Sequence, residues 1–162
     1  MQDVPDLLDG LRRAVPILSA FLKHIPPDQL NRRRGEGFWT VAEHVAHLAQ
    51  VQPIMLERLQ RFRDEDRPEF VPYIPGEDDV EDTPPQTAIE EALGVFAQYR
   101  NRQLALLEGA DAGFWKKTAV HPEYAQYSLY ILVRHILMHD YWHMFRMEEL
   151  WLTRDAYLTR LG

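Results

Sequence analysis

The chain contains no cysteine. That absence excludes a disulfide framework, a thiolate metal cage and a nucleophilic cysteine of the protein's own, so any metal must be held by nitrogen and oxygen ligands. Long apolar runs are missing as well: no stretch approaches the roughly 18 uninterrupted apolar residues of a membrane span. The opening MQDVPDLLDGLRRAV lacks the basic-then-apolar pattern of a secretory signal, and the expected location is the cytoplasm. A basic face suited to nucleic-acid phosphates is absent apart from Arg32-Arg33-Arg34, a triplet that reads as a solvated loop rather than a DNA footprint. Neither nucleic acid nor membrane is an expected partner. There is also no strand pattern, internal repeat or low-complexity segment.

What is present suits one core. With 162 residues, 46% of them hydrophobic, the chain is long enough for one domain and short for two, so residues 1–162 are expected to form a single helical domain. The net charge of −7 is uneven. Residues 64–82 hold nine acids against Arg67, a balance of −8, which leaves +1 for the rest of the chain. Pro68, Pro72, Pro75 and Gly76 break any periodicity there, while Phe70, Val71, Tyr73 and Ile74 give the segment something to pack with. It is expected to lie over the helices as a long loop.

Four helices can be placed around that loop. Asp3 can cap the first, which carries Leu7, Leu11, Val15, Leu18, Phe21 and Leu22 at helical spacing and ends at Pro26-Pro27, with a polar loop to Gly37. Thr40-Val41-Ala42-Glu43 is a capping box that starts the second, with Trp39 and His44 as partners of a hydrophobic staple. Pro53 should kink this helix about two turns past His47. Thr83-Pro84-Pro85-Gln86 reads as a second capping box opening a third helix, whose core face passes Ile89, Leu93, Phe96, Tyr99 or Arg100, and Gln103. Gly109 is its expected terminator. An aromatic-rich connection over 109–126 leads to a fourth helix from about Ser128 to Leu152. Four amphipathic helices with one short and two long connections indicate an all-α four-helix bundle.

The chemistry-bearing residues are imidazoles. His135, His139 and His143 recur every four residues and so form a column on one helix face. The seam Leu132, Ile136, His139, His143 and Leu150 favours His139 and His143 as the inward pair, with His135 roughly 100° from Ile136. H-x-x-x-H alone is a weak signal, and the zinc-protease form H-E-x-x-H is absent. A third nitrogen must come from elsewhere. His47, beside Val51 and Ile54, is the better candidate, while His44 remains open on the same wide face. His24, at a helix end, and His121, beside Pro122 in a loop, are given no site role. Asp140, Arg146, Tyr141, Trp39 and Trp142 are near enough to the site to matter, yet each has an ordinary packing or surface explanation.

The run Gly37-Phe38-Trp39-Thr40-Val41-Ala42-Glu43-His44-Val45-Ala46-His47-Leu48 resembles a segment of the DinB/YfiT-like superfamily. There a W-[ST] helix start is followed, eight residues after the tryptophan, by a metal-binding histidine. That register selects His47. The run His135-Ile136-Leu137-Met138-His139-Asp140-Tyr141-Trp142-His143 is similar to the superfamily's closing motif, whose H-x-x-x-H selects His139 and His143 as the other ligands. The resemblance implies an up-down-down-up bundle with a long crossover, a divalent metal between helices two and four, and often a homodimer. Many members continue the last histidine as H-R-G-Q, whereas this chain reads His143-Met144-Phe145-Arg146, so the ligand positions match and their surroundings differ.

Three neutral imidazoles leave a metal's charge uncompensated and its coordination unfilled, as in a catalytic site. Water or an exogenous thiol held there loses a proton near neutral pH. The resemblance implies the thiol version, since some members join a low-molecular-weight thiol such as bacillithiol or mycothiol to an electrophile. Nitrogen donors suit zinc, nickel, iron and copper alike. The expectation is a metal-dependent S-transferase acting on a small-molecule electrophile, with metal-assisted hydrolysis as a second chemistry. The rival is a non-catalytic stress-response or metal-binding bundle with a structural or adventitious metal.

Overall fold

Spacings of three and four turn Leu7, Leu11, Ala14, Leu18 and Leu22 to the buried side of the first helix, α1 (Val4–Leu22). The computed structural model describes residues 3–71 and 87–159. Asp3 occupies the N-cap position of α1 without a side-chain cap bond; its carboxylate accepts instead from the Tyr130 hydroxyl at 2.6 Å. At Gly10 a Cβ would sit 2.9 Å from Leu137, so the missing side chain lets α1 approach the last helix. The stretch expected as loop after Pro26 contains a one-turn helix, α2 (Pro27–Leu30), with proline in its first turn, where no N–H is needed.

The second long helix starts at the capping box. Glu43 N donates to Thr40 Oγ1 at 3.1 Å and Thr40 N donates to Glu43 Oε2 at 2.6 Å, opening α3 (Val41–Gln50). Pro53 has no N–H for the Ala49 carbonyl, and the helix is interrupted at Val51 before resuming as α4 (Gln52–Asp64). The expected box at Thr83–Gln86 lies outside the described residues. Thr87 and Ala88 are not helical, so the third long helix, α5 (Ile89–Glu108), begins at Ile89 and ends at Gly109 as expected. Asp111 Oδ1 accepts from Phe114 N at 2.7 Å to cap the short α6 (Ala112–Trp115).

Contrary to the reading of a strand-free chain, β1 (Thr118–Ala119) and β2 (Tyr127–Ser128) pair antiparallel, with Thr118 opposite Ser128. The acidic loop joins them through a parallel bridge: Phe70 N donates to Val120 O, and Val120 N to Pro68 O, both at 2.9 Å. These strands are too short to show alternation, and their pairing is long-range. Ser128 then caps the last helix, α7 (Leu129–Leu152), and a 3-10 turn, Asp155–Tyr157, follows.

The topology follows from two apolar clusters. The lower one gathers Leu7 and Leu11 from α1, Leu59 and Phe62 from α4, Leu104 and Leu107 from α5, and Leu132, Val133 and Ile136 from α7. The upper one gathers Ala14, Leu18 and Leu22 from α1, Val41, Val45 and Leu48 from α3, Ala92 and Phe96 from α5, and Met144, Met147 and Leu150 from α7. Chain direction is therefore up for α1, down for α3 with α4, down for α5 and up for α7. The crossover returns the chain from the lower end to the upper one. Of the apolar residues expected to pack the long loop, Phe70 is buried in the lower cluster and Val71 is exposed, while Tyr73 and Ile74 lie outside the described residues.

Between the clusters lies a polar layer. Gln52, Arg100, Gln103 and Asp140 are each at most 1% exposed. Arg100 Nη2 donates to Asp140 Oδ2 at 2.7 Å, Gln103 Nε2 to Gln52 Oε1 at 2.9 Å, and Gln52 Nε2 to the Leu48 carbonyl at 2.9 Å. Of the two alternatives on α5, Arg100 faces the interior and Tyr99 does not. Of the arginine triplet read as a solvated loop, Arg32 and Arg33 are exposed, but the Arg34 side chain is 4% exposed and donates to the Leu150 and Thr153 carbonyls and to Asp155, tying down the end of α7. Lys117 does the same for α4, with Nζ 2.9 Å from the Phe62 and Glu65 carbonyls.

Removing one partner of a buried ion pair leaves the other charge uncompensated. Arg100→Met or Asp140→Leu alone is expected to cost about 3–5 kcal/mol in urea unfolding, and the double substitution much less than the sum of the two. A double variant with additive losses would show that the two residues act independently.

Candidate metal centre

Two of the histidines need no tertiary structure to meet. His139 and His143 are one turn apart on α7, and their Nε2 atoms lie 3.2 Å from each other. The third comes from α3, packed against α7: His47 Nε2 lies 3.3 Å from His139 Nε2. One nitrogen from each of the three can be chosen so that all lie within 4.8 Å of one another. The edge of a tetrahedron with metal–nitrogen bonds of about 2.05 Å is about 3.3 Å, so the separations of 3.2 and 3.3 Å suit ligands of one small cation. No carboxylate joins the cluster among the described residues.

The other histidines go elsewhere. His135 is half-buried against Tyr124 and Tyr127, with ring centroids 5.3 and 5.8 Å away. His121 is buried in the same aromatic group, 4.8 Å from each tyrosine ring. His24 is exposed at the end of α1. His44 keeps its staple contact with Trp39, at 5.2 Å between rings, and also reaches the site, with Nδ1 2.8 Å from Nδ1 of His143. Trp39, the other staple partner and one of the residues near enough to the site to matter, has its indole 5.0 Å from the His47 ring and nearly parallel to His143 at 6.1 Å.

A cleft of about 320 Å³ opens over the imidazoles, walled by Phe38, Trp39, Trp142 and Arg146. Gly37, at φ +80°, makes the turn that brings Phe38 and Trp39 over the start of α3, a conformation a side chain would strain. Arg146 is held in place by Glu149 and by the Thr159 carbonyl at 3.1 Å. Glu149 in turn accepts from Thr159 N at 3.0 Å, so the tail after α7 fixes one wall. A second cleft of about 380 Å³, lined by Tyr124, His135, Met138, His139 and Trp142, adjoins the first across His139 and Trp142.

Burial sets the protonation states. It pushes His47 and His139 down to about 4 and His44 to about 3. His143 is driven lower by burial and then by its neighbouring imidazoles. All four are therefore neutral at pH 7 with lone pairs available, as metal ligation requires. Asp140, one residue from His139, is raised to about 6 by burial against the pull of Arg100.

The chain has relatives of known shape. The family model for the DinB superfamily matches residues 11–154. The fold is similar to that of YfiT from Bacillus subtilis, described as "a probable metal-dependent hydrolase with an unusual four-helix bundle topology", with a TM-score of 0.78 and 22% identity over 93% of this chain and 86% of that one. No curated protein sequence matches.

The four histidine pKa values are depressed on folding, so between about pH 6.5 and 4 the unfolded chain binds more protons than the folded one. Stability of the metal-free protein is expected to be intact above pH 6.5 and to fall on acidification. The slope approaches about 1.4 kcal/mol per pH unit for each histidine involved, with Asp140 opposing as a single group. Urea denaturation at pH 7.0, 5.5 and 4.5 measures it; a flat profile would contradict the buried neutral cluster.

Proposed function

Because the chain belongs to the DinB superfamily, we propose that it is a divalent-metal-dependent enzyme in which His47, His139 and His143 hold the ion. The observation that carries this reading is the convergence of three neutral ring nitrogens on the floor of a cleft, with His139 Nε2 3.3 Å from that of His47 and 3.2 Å from that of His143, and one nitrogen from each ring within 4.8 Å of the others. A divalent ion held by three imidazoles supplies a Lewis acid and makes a nucleophile of water or a thiol near neutral pH.

The residues of the chain divide the remaining work. His139 and His143 keep a separation set by one helical turn, and His47 closes the set from α3. Trp39, Phe38 and Trp142 give the cleft apolar walls that limit water and suit a small substrate with an apolar or aromatic body. Arg146 contributes a fixed positive edge, already paired, that polarises the cleft without moving.

Hydrolysis of a small electrophile is favoured by the description of YfiT as a probable metal-dependent hydrolase. A thiol-dependent transfer is the second reading, and the paired clefts meeting at His139 and Trp142 favour it, since two reactants need two places. Zinc, nickel and iron are the candidate ions.

The protein purified without a histidine tag is expected to contain close to one equivalent of divalent metal by elemental analysis. His139→Ala should lose the ion and any turnover of activated esters, amides or thiol-acceptor electrophiles while keeping its helical circular dichroism. Turnover that appears only with an added low-molecular-weight thiol would favour transfer, and turnover without one would favour hydrolysis. Unfolding of His139→Ala would instead point to a structural metal.

A further inference from the structure

His44 stands behind the three converging nitrogens rather than among them. Its Nδ1 approaches Nδ1 of His143, on the side of that ring away from Nε2, the atom that faces His139. Both rings are buried, at 5% and 3% exposure. Two ring nitrogens 2.8 Å apart form a hydrogen bond only when one carries the proton and the other a lone pair. A neutral imidazole that offers Nε2 to a cation carries its proton on Nδ1. His143 is then the donor, which leaves acceptance to His44 and places the proton of His44 on its own Nε2.

We propose that His44 is a positioning residue for metal binding: its Nδ1 accepts the Nδ1–H of His143 and holds that ring in the tautomer and orientation that free Nε2 for a divalent cation. This rests on the three-histidine metal reading and adds a fourth imidazole that touches no ion. His44 is well placed to be rigid. Its backbone N donates to the Thr40 carbonyl at 3.1 Å in the first turn of α3, and Trp39 and Trp142 lie 5.2 and 6.4 Å from its ring. Metal-bound histidines are ordinarily oriented by a carboxylate or a backbone carbonyl. A neutral imidazole in that place orients His143 without adding negative charge, so the ion keeps its full positive charge toward the nucleophile.

The tautomers are directly readable. Long-range proton–nitrogen imidazole spectra of the zinc-loaded protein should show His143 protonated at Nδ1 and His44 at Nε2; a zinc-loaded protein with His44 protonated at Nδ1 overturns the proposal. Zinc titration of the metal-free protein against a competing chelator gives the second measure. His44→Leu should bind zinc about 10–100-fold more weakly, and His44→Asn, whose Oδ1 can accept near the same point, should recover most of the loss. A folded His44→Leu that binds as tightly as the wild type overturns the proposal and leaves the metal centre standing. A folded His44→Asn as weak as the leucine variant also counts against it. Wild-type protein that binds no zinc, nickel or iron overturns the metal reading and this inference together.

Discussion

The ion pair between Arg100 and Asp140 is the constraint on which the arrangement depends. It joins α5 to α7 at the level where the apolar core is divided, and the glutamines on α4 and α5 extend it across the bundle. A buried pair of this kind adds little net stability, because desolvation cancels most of the attraction. Its effect is on alignment. Sliding α7 by one turn past α5 would leave a carboxylate among leucines and a guanidinium against Phe96, whose ring it now overlies at 5.1 Å. Since Asp140 directly follows His139, the contact that fixes the height of α7 also fixes the height of the imidazoles.

The same local rules explain what could be read from the sequence. Thr40 with Glu43 is a signal within four residues of the helix end it governs, and that end stands where expected. The pairing of His139 with His143 needs only a helical turn; the preference for His47 came from its place beside Val51 and Ile54, with His44 left open, and the resemblance then selected it. Other features depend on residues far apart in the chain. Arg34 reaches carbonyls more than a hundred residues away, and the Arg100–Asp140 pair spans forty. No spacing rule links such partners, so Arg34 looked like a solvated cation and Asp140 had only an ordinary packing or surface explanation. His44 illustrates a middle case. Its staple contact was legible because Trp39 is close in sequence, but its contact with His143 required α3 and α7 to be docked.

Neutral imidazoles gathered without a carboxylate, His143 buried and His47 and His139 half-buried, are an unfavourable use of interior volume unless something else requires them. Each loses hydration and gains at most one or two weak partners, and their ring nitrogens face one another at distances where lone pairs repel unless a proton or cation lies between them. An apolar residue at any of the three positions would pack at lower cost. The cluster is thus a local conflict between stability and sequence of the sort that marks functional sites. The aromatic walls sharpen the conflict by lowering the local dielectric, which keeps the imidazoles uncharged.

Precision at such a site has to be shared unequally among the helices. The separation of His139 from His143 is inherited from the geometry of α7, whose start is capped by Ser128, whose middle is fixed by Arg100 and whose end is tied by Arg34. Only His47 can err, because it belongs to another helix. The junction at Val51 divides that helix: α3, ten residues long, meets α4 where Pro53 leaves the Ala49 carbonyl without its helical N–H, while Val51 keeps right-handed helical angles and the bonds from Val51 N to His47 O and from Met55 N to Val51 O, both 3.1 Å, carry the chain across. Its direction is then set at its start, by the box at Thr40, by Arg33 bound to Glu43 and the Phe38 carbonyl, and by the turn at Gly37. Pro53, which costs a backbone hydrogen bond, thereby separates the packing demands of the lower core from the placement of a single imidazole.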